Sequence, residues 1–300
     1  MRKPARGAAL VITVWLIALA SVLALNYSQA VRSDTKTTTS ELARAQARAA
    51  AEAGFWRAVY AIGSPQHEAP WPTDGTAVEF DFGNASVSVM AHDLMGLADL
   101  NSASDTTLKG IISYALGDPL RAEEITARIN DWRDRDSNTR QFGAEDEDYI
   151  ATNLSVHAKD GPFNTREELQ LVLGVSAADY DAIAPFVTVH SQKATINPVV
   201  APVYVKNALS EFEPLVATPR NNRNQSSSRT NTPRQRRSRR GASFEILVQA
   251  NVNGVISRLA ASVEINRTRR NGQRVVILSW REIWPYRIPQ QDIDENATVG

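Results

Sequence analysis

Between residues 131 and 149 the chain reads Asp131-Trp-Arg-Asp134-Arg-Asp136-Ser-Asn138-Thr-Arg140-Gln-Phe-Gly143-Ala-Glu145-Asp-Glu-Asp148-Tyr. With Asp134 as the first position, Asp136 stands third, Asn138 fifth and Glu145 twelfth, which is the oxygen-ligand spacing of a calcium loop. Arg140, at the seventh position, contributes a backbone carbonyl in such a loop. A hard cation takes about six to eight oxygens, and a short loop folded around it offsets the repulsion between carboxylates. Thr139 departs from the glycine that such loops carry at the sixth position, and the flanking segments do not form a clear helix pair. The run is therefore not an EF-hand. It reads either as a Ca2+ site or as a solvated acidic loop balanced by Arg133, Arg135 and Arg140. Paired carboxylates also serve acid–base catalysis, but no nucleophile motif accompanies them. His67, His92, His157 and His190 are scattered along the chain. The sequence is not that of an enzyme.

The elements around this loop are short and capped. Ser104-Asp-Thr-Thr-Leu opens one helix and Leu120–Trp132 forms a second. Asn164-Thr-Arg-Glu-Glu-Leu-Gln-Leu-Val-Leu, with its cap followed by Glu, predicts a third, and Ser176-Ala-Ala-Asp-Tyr-Asp-Ala-Ile a fourth. Together they predict an all-helical unit over 99–190. Strand patterns flank it. Val78-Glu-Phe-Asp-Phe and Ala85-Ser-Val-Ser-Val-Met, joined by Gly83-Asn84, read as a hairpin. After the helical unit come Ala194-Thr-Ile-Asn, Phe244–Val252, Val255–Ile265 and Val275–Trp284, with Asn253-Gly254 and Asn271-Gly272 as hairpin turns. Residues 63–98 and 191–284 thus predict one antiparallel sheet domain, followed by a tail over 285–300. Within it, residues 218–241 lack any acidic residue and are rich in Arg, Asn and Ser; too few apolar groups are present to offset ordering entropy, which predicts a solvated loop.

The N-terminus carries the strongest compartment signal. A basic leader, residues 1–7, precedes a charge-free apolar run from Ala8 to Leu25. About 20 apolar residues are needed to cross a bilayer core, and the basic leader would remain on the cytoplasmic side. The run continues into an Ala-rich stretch with Arg44, Arg48 and Glu52 at helical spacing. One helix over 8–62 is expected, with Thr37-Thr-Thr-Ser40 as a point of fraying and Gly54 and Gly63 as weak points or stops. The predicted location is the inner membrane, single-pass, with the bulk of the chain in the periplasm. Formal net charge is zero, and loss of Arg2, Lys3 and Arg6 with the leader leaves 30 basic against 33 acidic residues. Nucleic acid is not an expected partner. The absence of Cys excludes a disulfide framework and thiol catalysis.

Gly7 immediately before the apolar run resembles the class III signal of type IV pilins and pseudopilins. The resemblance implies cleavage after Gly7 by a prepilin peptidase and methylation of the new N-terminus, Ala8. The family usually has Glu at the fifth mature position, which is Ile12 here. Among pseudopilins that absence is similar to the K-type minor subunit of the type II secretion system, the GspK family. The same family's marks follow in order as Leu100-Asn101-Ser-Ala, Asp131-Trp132-Arg-Asp134-x-Asp136, Gly143-Ala-Glu145, Tyr149, Pro162-Phe163 to Glu168-Leu169, and Ile196-Asn197. The resemblance implies an α+β pilin-like fold, a long N-terminal helix packed on an antiparallel sheet, with a large inserted all-helical domain. It also implies the tip of the secretion pseudopilus as the place of action, minor pseudopilins I and J as partners, and Ca2+ as a stabiliser of the cap.

Two other readings stay open. The stretches at 99–108 and 161–176 look like helix-hairpin-helix modules, which bind DNA phosphates through a Gly-x-Gly hairpin. Here the hairpins read Gly174-Val-Ser176 and Leu116-Gly117-Asp118-Pro119, so a glycine is missing in one and an acid sits in the other. A membrane-anchored DNA-binding protein of an uptake system is the alternative function. A plain signal-anchored periplasmic protein is the other.

Overall fold

The computed structural model describes residues 6–64, 71–152, 157–216, 241–268 and 272–283, and of 6–9, 26–37, 213–216, 267–268 and 272–274 it describes the backbone alone. The Arg-rich stretch, Asn271 of the second Asn-Gly turn, the first leader residues and the tail over 285–300 lie outside the described residues.

Helix α1 (Arg6–Gly63) runs through both the apolar segment and the Ala-rich segment. Thr37-Thr-Thr-Ser40 does not interrupt it. Its second half buries Ala43, Ala47, Ala50, Ala51, Phe55, Ala58, Val59 and Ile62, a stripe at the three- and four-residue spacing of a helix face. Small residues let the helix lie close to the sheet. Gly54 is the extreme case: a Cβ there would stand 2.8 Å from Val87 Cγ1 and 3.1 Å from Val248 Cγ1. Gly54 is thus a point of close approach within the helix, which runs past it and stops at Gly63, the second of the two expected. Side-chain bulk on the sheet decides this, and a local scale does not see it.

The sheet has five antiparallel strands, which are β1 (Val78–Phe82), β2 (Ala85–Asp93), β5 (Ala242–Val252), β6 (Val255–Thr268) and β7 (Gly272–Arg281). They lie side by side in that same order. Asn253 and Gly254 both have positive φ, 52° and 84°, as a tight hairpin turn between twisted strands requires. Alternate residues Val87, Val89, Ile246, Val248, Ala261 and Val263 are buried against α1. Leu247 and Ala260 point the other way and join a second core. The sheet therefore lies between α1 on one face and a helical body on the other.

That body is strung between β2 and β5, which are hydrogen-bonded neighbours. It contains β3 (Ala98–Asp99), α2 (Asp105–Leu116), α3 (Pro119–Arg133), α4 (Asp146–Ala151), α5 (Ala177–Ile183), β4 (Val187–Thr188) and α6 (Val203–Val216). β3 and β4 pair in parallel at its neck. The buried Asp99 carboxylate holds both strands of that neck. It accepts from the N–H of Asn101 and Ser102 at 3.0 Å each, from Gln192 N at 2.7 Å and from Ser191 Oγ at 3.2 Å.

Two sequence expectations fail here. The helix predicted from Asn164 is a 3-10 segment over Arg166–Leu171, and Thr165 makes no side-chain cap bond. Its would-be capping and pairing side chains are drawn away instead: Arg166 to Glu245, Glu167 to Arg281 and Glu168 to Lys159. The strand predicted at Ala194–Asn197 is absent. Asn197 Oδ1 accepts from Val199 N at 3.1 Å, and Asn197 N donates to Met95 O at 2.8 Å, which makes a turn before Pro198. Beyond it, α6 lies outside the helical unit expected over 99–190. Its Val205 and Ala208 are buried in the helical core with α2, so the body extends past residue 190.

Candidate functional site

Asp131, at the end of α3, is fully buried. A buried carboxylate must be paired or hydrogen-bonded, and the loop after α3 is folded around this one. Asp131 accepts from Ala144 N at 2.9 Å, from Arg140 N at 3.2 Å and from the Arg140 guanidinium at 2.6 Å. Arg140 also bonds Asp134, which ends α3. These two partners hold the Arg140 pKa well above its ordinary value, Asp131 first. Gly143 leaves the room for the arrangement: a Cβ on it would fall 1.8 Å from Asp131 Oδ2. Gly143→Ala should therefore force the loop off Asp131 and lower stability by about 1–3 kcal/mol, read as a drop in the thermal midpoint. A midpoint within about 1 °C of wild type would mean that the loop does not depend on this contact.

The residue after Asp131, Trp132, is the centre of an aromatic cluster. Trp132 lies between Phe163, with ring centroids 6.0 Å apart, and Tyr149, at 6.1 Å. Tyr149 is fully buried, its hydroxyl accepts from Leu173 N at 2.9 Å, and burial pushes its pKa to about 12. Asn101 is joined to the Phe163 backbone twice, Phe163 N donating to Oδ1 at 2.7 Å and Nδ2 donating to Phe163 O at 2.9 Å. The scattered sequence marks Asn101, Asp131, Trp132, Gly143, Tyr149 and Phe163 are thus one packed unit.

The five expected metal ligands behave differently from one another. Glu145 is 6% exposed and its Oε1 has no hydrogen-bond partner. Burial, then the charges of Asp131 and Asp134, raise its pKa to about 7. Asp134 also keeps one buried oxygen, Oδ1, without a hydrogen bond. Asp136 and Asn138 are exposed and bonded to each other, with Asn138 N and Nδ2 donating to Asp136 Oδ1 at 3.0 and 2.7 Å. The Arg140 carbonyl accepts from Gly143 N at 2.8 Å, while its side chain neutralises the neighbouring acids. Among the described residues, no three His, Cys, Asp or Glu side chains are arranged as a metal-binding group. Asp134 Oδ1 and Glu145 Oε1 are thus the two carboxylate oxygens of this loop that are buried without a hydrogen bond.

Of the balancing arginines, Arg133 donates to the carbonyls of Leu100 and Ala103 at 2.7 and 3.1 Å, and so ties α3 to the neck. His92 is buried on β2, His157 is exposed, and His190 is half-buried after β4.

At the Gly174 hairpin two backbone amides already have partners. Val175 N donates to Val172 O at 3.1 Å and Ser176 N to Asp179 Oδ2 at 2.9 Å, so an acid occupies the position an anion would take. The carbonyls of Leu173 and Gly174 accept from Arg128 and Arg121.

Along α1 the described side chains from Leu10 to Leu25 are all exposed, with Leu10 at 68% and Trp15 at 73%. Among the described residues no helix is long and apolar enough to cross a membrane. The expected span also includes Ala8 and Ala9, whose side chains lie outside them.

Residues 94–192 match the family model described as type II secretion system protein K. Type II secretion system protein K from Klebsiella pneumoniae is 39% identical over 70 residues, 23% of this chain and 22% of that one. The Pseudomonas aeruginosa protein of that name is 36% identical over 88 residues, 29% of this chain and 26% of the other. The aligned stretches thus span about a quarter of the curated relatives' length. A chain in the crystal structure of the GspK-GspI-GspJ complex from the type 2 secretion system of enterotoxigenic Escherichia coli aligns with a TM-score of 0.55 and 18% identity, covering 82% of this chain and 98% of that one. The expected α+β pilin-like fold with a helical insert agrees with that alignment.

Proposed function

We propose that this chain, whose residues 94–192 match type II secretion system protein K, is a minor pseudopilin that caps the tip of the secretion pseudopilus. It acts as a structural part of protein export across the outer membrane. The observation that carries the reading is the seat of the helical body. It is inserted between two paired strands and covers the sheet face opposite α1, which leaves the helix free to pack in a fibre while the body blocks further stacking.

The exposed apolar face of α1 over 10–25 supports residence in the inner membrane before assembly, with the rest of the chain in the periplasm, since such a surface in water has a large hydrophobic cost. Cleavage after Gly7 by a prepilin peptidase, with methylation of Ala8, belongs to the same reading. Ile12 presents no carboxylate to an N-terminal amine of a neighbour within lipid, where an unpaired charge is costly, and this suits a subunit with none above it. Minor pseudopilins I and J are the proposed partners through their N-terminal helices. Ca2+ is proposed at the 134–145 loop, held by Asp134 and Glu145 with Asp136, Asn138 and the Arg140 carbonyl completing the set, where it would neutralise acids that now rely on Arg140.

Mass spectrometry of the mature chain tests the reading at its base. The expected N-terminus is a methylated Ala8, and the processed chain should co-purify with both I- and J-type subunits. A chain retaining Met1, or cut elsewhere, would falsify the pseudopilin assignment.

A further inference from the structure

We propose that the cavity between α2, α3 and α6 is a docking site for an extended polypeptide segment of a partner protein, one that carries a large apolar side chain beside a basic residue. The inference rests on the helical body alone and goes beyond the capping role.

The cavity holds about 700 Å³, within the range of roughly 300–1,000 Å³ that ligand sites occupy. Its existence depends on how α6 meets α2. A Cβ on Gly110 would stand 2.6 Å from the Phe212 ring, so glycine lets Phe212 settle against α2 as one wall. Tyr114, one turn further along α2, adds a second aromatic ring to the lining. Such surfaces gain most from a large apolar side chain.

The floor is α3, and it is the part that a simple gap between helices does not explain. Thr126 and Asn130, four residues apart on one helix face, are each 4% exposed and line the cavity. Thr126 Oγ1 and Asn130 Oδ1 are buried without a hydrogen-bond partner. A helical Thr ordinarily returns its hydroxyl to the preceding turn, and buried polar atoms ordinarily find partners. Desolvating both without return is unfavourable. Turned out into the cavity, the two side chains would find in a peptide backbone what they lack, an N–H for the Asn130 oxygen and a carbonyl for the Thr126 hydroxyl, from groups that alternate along one strand.

Charge at the rim selects the flanking residue. Lys109 is engaged by Glu123 at 2.8 Å, and Arg140 is engaged by Asp131 and Asp134. Asp105 is 71% exposed and has only a 3.8 Å contact with Arg133, while Glu211 is exposed on α6. The uncommitted charge at the opening is therefore negative, which favours Lys or Arg next to the apolar anchor and disfavours a nucleotide or an acidic peptide.

The test is isothermal titration of the full chain in detergent micelles at low salt, with acetyl-Lys-Phe-Lys-amide as probe. Acetyl-Lys-Ser-Lys-amide and acetyl-Glu-Phe-Glu-amide are the controls. The Lys-Phe-Lys peptide should bind at least tenfold more tightly than either. The paired variant Thr126→Val, Asn130→Leu should lose that binding tenfold or more while melting no lower than wild type, because it replaces unpartnered polar atoms with apolar ones of similar shape. Asp105→Asn with Glu211→Gln should narrow the preference for Lys over Glu flanks. Equal binding of the three peptides, or undiminished binding by the paired variant, would overturn the proposal. Binding that emerges only after deletion of residues 218–241 would also overturn it, assigning the cavity to the chain's own Arg-rich segment.

Discussion

Replacing Arg166 with Ala should lower the stability of the protein by about 3–5 kcal/mol, the loss typical of a buried ion pair stripped of one partner. Arg166 is 8% exposed and Glu245 4% exposed, and the guanidinium reaches both carboxylate oxygens at 3.2 Å. Arg166 belongs to the 3-10 segment of the helical body and Glu245 to β5 at the centre of the sheet. The next residue, Glu167, pairs with Arg281 on β7, with Arg281 Nη2 at 2.6 Å from Glu167 Oε2. These two pairs fasten the body to the sheet. Without Arg166, the buried Glu245 loses its ion-pair partner, and removing one partner of a buried pair costs far more than the intact pair contributes. A fall of the thermal midpoint by roughly 10 °C follows from the usual scaling for domains of this size. The paired variant Arg166→Met, Glu245→Leu should recover most of the loss, since a well-packed apolar pair often matches a buried ionic one. If Arg166→Ala alone melts within about 2 °C of wild type, the pair is not what docks the body.

The second large effect concerns Glu145 and is read as a pH dependence. Its folded-state pKa of about 7 stands above the ordinary value of 4.5 because burial and the charges of Asp131 and Asp134 disfavour ionisation. Below pH 4.5 the group is protonated in both folded and unfolded chains, and its contribution to stability is fully present. As pH rises from 4.5 to 7 the unfolded chain releases the proton while the folded one retains it. Stability then falls by roughly 3 kcal/mol in all, because each tenfold difference in proton affinity between the two states is worth about 1.4 kcal/mol. In chelator, the thermal midpoint should therefore decline between about pH 5 and 7.5 through this group. Calcium requires the ionised carboxylate, so at about pH 7.5 it should reverse the decline, by about 4 kcal/mol at a roughly thousandfold excess over its dissociation constant. Glu145→Gln should remove both the decline and the calcium response. Melting curves with and without calcium at the two ends of that pH range check this. A wild-type midpoint indifferent to calcium at the upper end would show that Arg140 alone balances the loop.

The same residues separate what is local from what is not. The long α1, the hairpin of β1 and β2, the Asn253-Gly254 turn and the capped starts of α2 and α5 are each set by neighbours within a few positions, so periodicity and turn chemistry suffice to read them. The loop at 131–149 is legible as a place of unusual charge for the same reason. Its chemistry is not. The spacing treats Asp134, Asp136, Asn138 and Glu145 as equal ligands, whereas the fold buries Glu145, leaves Asp136 and Asn138 bonded to each other in the open, and turns the Arg140 side chain onto Asp131 and Asp134.

The sequence by itself determined the order of parts: a charge-free run, a helix with an alanine stripe, strands interrupted by a helical unit, and the marks along that unit that resemble one secretion family. The tertiary structure alone decided which of these parts touch. Asn101 meets Phe163, Arg166 meets Glu245 and Arg281 meets Glu167 across separations of 62, 79 and 114 residues, and no local pattern encodes such pairs. Burial is a property of the whole packing, and it is burial that strands the oxygens of Glu145, Thr126 and Asn130, makes the Arg166 pair costly to break, and turns Gly54 and Gly143 from flexible residues into the only ones that fit.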